Sequence, residues 1–294
     1  MAFQKPSHTF TKIHLKGLRT NSLHILFALS FTVLINTFSF AQELPKNNTS
    51  IPAQTLKDTT SVSVDTLQNK PLNLKVIDSV KQDSIKKKQM KRIFVTGIST
   101  EVGKTIVSAI ITEALKADYW KPIQAGELDN TDSHKIARLI SNNKTKIHPC
   151  NYELKTPMSP HAAAVIDGVS IAVKKIFEPE TDNHLVIEGA GGLLVPLNDT
   201  DTVLDLILPN YNVVVVSRHY LGSINHTLLT VNWLQLKGYD VSILFSGDEH
   251  PTSESIILKK TGVKSIGRIN EEKVFDQAII KKYADKFRPT LESL

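Results

Sequence analysis

The sequence predicts an α/β domain, a mainly parallel β-sheet flanked by helices, behind a disordered N-terminal extension. Three observations carry that expectation. Short apolar, β-branched runs recur from Lys91 onward, as strands buried on both faces require. Amphipathic stretches of helical length separate them, and alternating strands and helices favour parallel pairing. Residues 42–89 show no sustained periodicity of either kind.

In chain order, Arg92–Gly97 is the first strand, an apolar run ending in glycine, and Ile106–Leu115 the helix after it. Further strands are expected at Tyr119–Ile123, His184–Glu188, Asn212–Ser217, Asp240–Phe245 and Lys264–Ile269. Helices are expected near Asp132–Ile140, Ser170–Phe177, Thr202–Leu208, Ser223–Leu236, Ser253–Lys260 and Glu271–Lys286. About 200 residues suffice for one such domain with a substantial core. No internal repeat is visible.

The 294 residues carry a formal charge of +6, which on an evenly charged fold would suggest nucleic acid or an anionic membrane as partner. The charge is uneven. Residues 1–90 hold 12 Lys/Arg against 5 Asp/Glu, a balance of +7, whereas residues 91–294 hold 23 against 24, a balance of −1. No basic partner surface is therefore needed on the folded part. The single cysteine, Cys150, cannot form an internal disulfide, so the chain requires no oxidising compartment.

Residues 1–41 resemble an export signal or membrane anchor. Lys5, Lys12, Lys16 and Arg19 precede the apolar run Leu23–Phe40, and Ser39 and Ala41 sit at the −3 and −1 positions of a cleavage site. Residues 42–90 are rich in Ser, Thr, Asn, Asp and Lys and contain no aromatic residue. They bury too little apolar surface to offset ordering entropy and read as a disordered linker. Within it, Leu72–Ile77 could pair as a strand, and Lys86–Lys88 is a solvated charge run.

The strongest local signal is Gly97-Ile98-Ser99-Thr100-Glu101-Val102-Gly103-Lys104-Thr105, between the first strand and the first helix. Glycines permit the tight turn, backbone N–H groups point inward, and the following helix presents its positive end. Lys104 would reach the β- and γ-phosphates and the Thr105 hydroxyl would face Mg²⁺. The spacing is one residue longer than the usual phosphate loop, so this is a variant of the P-loop NTPase motif. No Asn-Lys-x-Asp guanine reader follows, which leaves ATP as the expected nucleotide. A second acid should complete an Mg²⁺ site. Glu188, at the carboxyl end of its strand, is placed for it, and Gly189-Ala190-Gly191-Gly192 lets a ligand approach the backbone.

In order along the chain come Phe94–Gly97, Thr100–Thr105, Lys121-Pro122-Ile123-Gln124-Ala125-Gly126, Thr131-Asp132 and Ser159-Pro160-His161. Glu188–Gly192, Pro196-Leu197 and Leu221-Gly222-Ser223-Ile224-Asn225-His226-Thr227 follow. Together they resemble the dethiobiotin synthetase family over nearly all of residues 91–294; residues 1–90 have no counterpart in it.

The resemblance implies a homodimeric cytoplasmic ligase that uses ATP and Mg²⁺ to close 7,8-diaminononanoate with CO₂ or bicarbonate into dethiobiotin, through a carbamate and a carbamic–phosphoric anhydride. Lys121 and Lys104 would be catalytic. The nucleotide side would comprise Thr100, Glu101, Val102, Gly103, Lys104, Thr105, Ile106, Asp132, Glu188, Gly189, Ala190, Gly191 and Asn270, with Thr105, Asp132 and Glu188 on the metal. The substrate side would comprise Ala125, Ser159 and His161, with Gly222, Ser223, Ile224 and Asn225 from the neighbouring subunit, so that active sites lie at the interface. Without the resemblance, Lys121 reads as an exposed lysine before a turn-forming proline, and Asp132 as a helix N-terminal acid.

Three positions depart from the family pattern. Ala125 replaces a small hydroxyl residue, Gly247-Asp248 replaces an Asn-Asp pair on the adenine side, and Arg268-Ile269-Asn270 aligns loosely with the other adenine-facing loop. The alternatives are a partitioning or septum-positioning switch ATPase acting on DNA or membrane, and a cobyrinate-type amidoligase. The first typically carries an extra lysine early in the loop, where Ile98 and Ser99 stand here. The second needs a glutaminase cysteine, for which Cys150 has no context. A cytoplasmic ligase with no nucleic-acid or membrane partner conflicts with the leader. The leader is accordingly expected to be a gene-model extension or a fusion, with the working enzyme starting near Met90.

Overall fold

A computed structural model describes residues 90–294. The signal-like segment 1–41, the linker up to residue 89 and its strand candidate Leu72–Ile77 lie outside the described residues.

Seven parallel strands form the main sheet: β1 (Arg92–Gly97), β2 (Asp118–Trp120), β4 (Ile147–His148), β6 (Leu185–Gly192), β7 (Asn212–Arg218), β8 (Asp240–Ser246) and β9 (Lys264–Ile269), in the order β4-β2-β6-β1-β7-β8-β9. Two short strands, β3 (Ile123–Ala125) and β5 (Tyr152–Leu154), pair in parallel beside it. The helices are α1 (Lys104–Leu115), α2 (Asp132–Leu139), α3 (Pro160–Asp167), α4 (Ser223–Leu236), α5 (Pro251–Thr261) and α6 (Gln277–Glu292).

β1 is buried along nearly its whole length, with β6 on one side and β7 on the other. The chain leaves β1 towards β2 on one side and later crosses to β7 on the other. That reversal opens a crevice at the carboxyl end of β1, where open α/β sheets bind ligands. α1 carries eight apolar and polar residues buried in succession, Val107 to Ala114, because it is covered by the sheet and by α6. The Arg288 guanidinium of α6 donates to the Ala114 carbonyl at 2.9 Å and fixes the end of α1.

The fold class and the principal strands match expectation, and the departures have local causes. The strand expected over Tyr119–Ile123 is split at Lys121-Pro122. Proline cannot donate to the ladder, so β2 stops at Trp120, and the Pro122 carbonyl instead accepts from Asn151 and Tyr152. No α-helix forms over Ser170–Phe177, only a 3₁₀ turn at Val173–Lys175. The segment before it is held extended by the Ala172 N–H on the Tyr152 hydroxyl and by Asn198 on the Ile171 carbonyl. The helix expected over Thr202–Leu208 is a 3₁₀ turn, Val203–Leu206, capped by Thr202 and Asp205, with Pro209 close behind. α6 begins at Gln277 rather than near Glu271, because the Asp276 side chain accepts from Ile279 and caps it there. The strand expected over His184–Glu188 runs on through Gly189–Gly192 as β6. Sequence reading missed α3, although Pro160 in its first turn and Gly168 in a left-handed C-cap bracket it.

Candidate active site

The loop between β1 and α1 closes tightly. A Cβ on Gly97 would lie 2.6 Å from Val102 Cγ2 and 2.8 Å from the Ser99 carbonyl oxygen. Gly103 has φ 95°, a left-handed conformation that L side chains rarely adopt, and stands against Ser246 at the end of β8. α1 starts directly after it with no side-chain cap on its first turn, the arrangement that offers N–H groups to an anion. Lys104 arches back over the loop, its Nζ donating to the Ser99 carbonyl at 3.2 Å. Burial, helped by the nearby Lys121 charge, pulls the Lys104 pKa down against the opposing pull of Glu188 and Asp132.

Beside the loop lies a buried charge cluster. Lys121, just past β2, is buried with its Nζ bonded to Asp132 Oδ2 and, at 3.2 Å, to Glu188 Oε1. Glu188 is 1% exposed, midway along β6. Its Oε1 also accepts from Thr105 Oγ at 2.9 Å, and its Oε2 from the Tyr119 hydroxyl at 2.9 Å. Asp132 opens α2, whose cap is Thr131, and accepts a second ammonium from Lys135 at 3.2 Å. Burial works against the Lys121 charge, but Glu188 and Asp132 outweigh it and hold its pKa above the ordinary lysine value. Burial likewise opposes the Asp132 charge, and Lys121 with Lys135 still holds its pKa below the aspartate range. A cleft of about 520 Å³ opens on this cluster, lined by Lys121, Asp132, Thr100, Ala125, Ser159 and Gly191 among others.

This geometry suits phosphoryl transfer, which needs positioned cations around a transferring group. Residues 91–278 match the AAA domain family. An ATP-dependent dethiobiotin synthetase BioD of Christiangramia forsetii is 58% identical over 202 residues, covering 68% of this chain and 98% of that protein. The enzyme of the same name from Cytophaga hutchinsonii is 51% identical, covering 67% of this chain and 97% of its own. The chain belongs to the ATP-dependent dethiobiotin synthetase family. It is thereby an ATP-using ligase of biotin biosynthesis. A plasmid partition protein from Borrelia burgdorferi aligns with 70% of this chain and 100% of its own at 15% identity and TM-score 0.46, a likeness that assigns nothing.

Of the residues the synthetase resemblance singled out, Lys104, Thr105, Lys121, Asp132 and Glu188 meet in one place. Thr100, Glu101, Ala125, Ser159, Ala190 and Gly191 line the adjoining cleft. Val102 is buried within the loop, and Gly189 packs against Phe94. Ile106 and Thr105 face a different pocket, between α1, α2 and the start of α6. His161 is exposed on α3, its Nδ1 3.2 Å from the Ser159 hydroxyl that it shares a turn with. Asn270 follows β9, its N–H donating to the Tyr283 hydroxyl at 3.1 Å. The Gly247 N–H donates to the carbonyl of Ile269, the residue before Asn270, which keeps these two departures from the family pattern side by side. Gly222, Ser223 and Ile224 do not join the Lys121 cleft; they line a separate pocket at the start of α4, and Asn225 follows them on that helix.

Sequence reading gave no site role to Tyr119, Gln124 or Lys135, although Gln124 lies within the Lys121–Gly126 motif. Gln124 holds the start of α2, accepting from the Asp132 N–H at 3.3 Å while donating to the Gly126 carbonyl. For Tyr119 a signal existed: it lies two residues before Lys121, on the same face of an extended chain. Nothing local marked Lys135. Among the described residues no helix is long and apolar enough to cross a membrane.

Proposed function

We propose that this chain converts 7,8-diaminononanoate, CO₂ and ATP into dethiobiotin, ADP and phosphate, with Lys121 and Lys104 as its catalytic cations. One observation carries the assignment of roles: a buried lysine, Lys121, joins two carboxylates beside the phosphate loop. One amine of the diamine adds to CO₂ and loses a proton, forming a carbamate. Lys121 holds that anion. A carbamate oxygen attacks the γ-phosphorus, the bond to ADP breaks, and a carbamic–phosphoric anhydride results. The second amine attacks the carbamoyl carbon and gives up a proton, phosphate leaves, and the five-membered ring closes. Lys104 spreads the charge that develops on the β- and γ-phosphates.

Thr105, Asp132 and Glu188 would hold Mg²⁺. The donor set fits, because two carboxylates and a hydroxyl are hard oxygen ligands, and Lys121 already sets a cation against both carboxylates. When bound, Mg²⁺ supplies charge neutralisation and orientation of the phosphates. The uncapped turn at Thr100–Thr105, with Gly189–Gly191 opposite, takes the phosphates; Asn270 and Gly247 take the base side. Ser159, His161 and Ala125 face the diamine. Gly222–Asn225 receive the carboxylate of a substrate bound to a second copy, which makes the working unit a homodimer. The catalytic domain spans residues 91–294 and works in the cytoplasm without nucleic acid or membrane.

The test is dethiobiotin formation by the full chain supplied with diamine, bicarbonate and ATP. ADP release should require both the diamine and bicarbonate. ATP hydrolysis indifferent to both, but stimulated by lipid or DNA, would overturn the reading in favour of a switch ATPase.

A further inference from the structure

Tyr119 is fully buried, yet ends in a polar group that touches the charge cluster. It pairs with Val186 in the parallel β2–β6 ladder. Residues opposite one another in a ladder share a face, as do residues two apart along a strand. Tyr119 and Glu188 are thus brought to one face of the sheet by backbone pairing alone, with Val186 between them. The Tyr119 ring reaches along that face, and its hydroxyl donates to Glu188 Oε2 at 2.9 Å. The other oxygen, Oε1, receives Thr105 at 2.9 Å and Lys121 at 3.2 Å.

A carboxylate can rotate about its terminal bond, and its two oxygens are chemically alike. What distinguishes them here is the hydroxyl on one side. We propose that Tyr119 is a positioning residue, whose hydroxyl holds Oε2 of Glu188 so that Oε1 faces Thr105, Lys121 and the phosphate loop. Packing alone does not account for a tyrosine at this place, since phenylalanine would fill the same core volume and leave Oε2 buried without its donor. Tyr119 touches no substrate in this role; it acts through Glu188. The inference rests on the proposed part of Glu188 in holding Mg²⁺ with the nucleotide.

The experiment is a titration of the full chain with Mg²⁺ at fixed non-hydrolysable ATP analogue, read by calorimetry, alongside dethiobiotin kinetics. Removing one hydrogen bond to a buried charge should raise the Mg²⁺ concentration for half-saturation in Tyr119→Phe roughly tenfold. kcat should fall by a similar factor while KM for the diamine changes less than about twofold. In a Glu188→Ala background, Tyr119→Phe should change the Mg²⁺ titration no further, because a residue acting only through Glu188 has nothing left to position. Equal effects with and without Glu188 would assign Tyr119 to general packing and overturn the proposal. So would unchanged Mg²⁺ dependence in Tyr119→Phe, or a Tyr119→Phe chain that fails to fold. If the unsubstituted chain makes no dethiobiotin, the reaction assignment fails instead, and the calorimetric comparison still reports on Tyr119.

Discussion

Replacing Lys121 by alanine should damage stability and catalysis together, and the structure sets the size of the first effect. The side chain of Lys121 is 6% exposed and sits between Glu188, at 1%, and Asp132, at 16%. Removing one member of a buried ion pair generally costs roughly 3–5 kcal/mol, because the remaining charge is left desolvated and uncompensated. Asp132 keeps Lys135 at 3.2 Å and some water, so most of the loss falls on Glu188. Glu188 keeps the hydroxyls of Thr105 and Tyr119, which places the expected cost near the lower end, about 3 kcal/mol. For a domain of this size that corresponds to a fall in Tm of roughly 6–12 °C. Thermal unfolding followed by circular dichroism measures it. Lys121→Arg should recover part of the stability, since a cation remains, but little ring closure, since a planar guanidinium does not replace a compact ammonium. A Tm for Lys121→Ala within about 2 °C of the parent would refute the reasoning, because Lys121 would then not be the counter-ion of a buried Glu188.

Lys104→Ala should behave differently: it bonds a carbonyl rather than a carboxylate, so Tm should hold while kcat falls on the order of 100-fold or more, measured in the dethiobiotin assay. Gly97→Ala must push its Cβ against Val102 and the Ser99 carbonyl, and should cost about 1–3 kcal/mol in denaturant unfolding together with nucleotide binding by calorimetry. The Asp132 carboxyl is held below the ordinary range when folded, so its stabilising contribution is complete above the unfolded value, about 3.9, and is lost as pH falls through the folded one. The unfolding free-energy gap between parent and Asp132→Asn should therefore close on strong acidification; a gap constant from neutral to acid pH contradicts the ion pair. Lys104 has its pKa lowered in the free protein, and bound phosphate would raise it, so nucleotide affinity should weaken as pH rises through the lowered value. Calorimetry in buffers of different ionisation enthalpy should detect proton uptake on binding at alkaline pH, and its absence would count against that environment.

What the sequence made legible follows from how local each signal is. β1 and the phosphate loop were readable because an apolar run, two glycines and a Lys-Thr pair lie within fourteen residues, Arg92 to Thr105, and each constrains the same short piece of backbone. The Glu188 acid was readable from its place at the end of an apolar run. The ion pairs of Lys121 were not, since Asp132 and Glu188 lie 11 and 67 residues away and only the β2–β6 pairing and the start of α2 unite them. Ser170–Phe177 misled for the opposite reason. Its local pattern is helical, but bonds from Tyr152 and Asn198, distant in sequence, hold its first residues extended. β4, two residues long, carries no periodicity to read.

The +6 charge of the chain and the chemistry of its site are separate matters. The described fold is close to neutral, so no long-range field gathers anions to it, and the cationic character must be made locally. Two lysines do this in opposite ways. Lys121 is buried against two carboxylates and its charge is over-determined: Glu188 and Asp132 raise its pKa despite burial. Lys104 is buried against a carbonyl, and burial wins, lowering its pKa. Lys121 bonds two carboxylates directly, whereas Lys104 bonds neither and feels Glu188 and Asp132 too weakly to offset burial, so an incoming phosphate would raise its pKa. The difference explains why a lysine in a variant phosphate loop and a lysine past a short strand can sit in one site without duplicating each other. On the proposed reaction, Lys104 meets the phosphates from a loop with no carboxylate bonded to it, and Lys121 meets the carbamate from between Asp132 and Glu188.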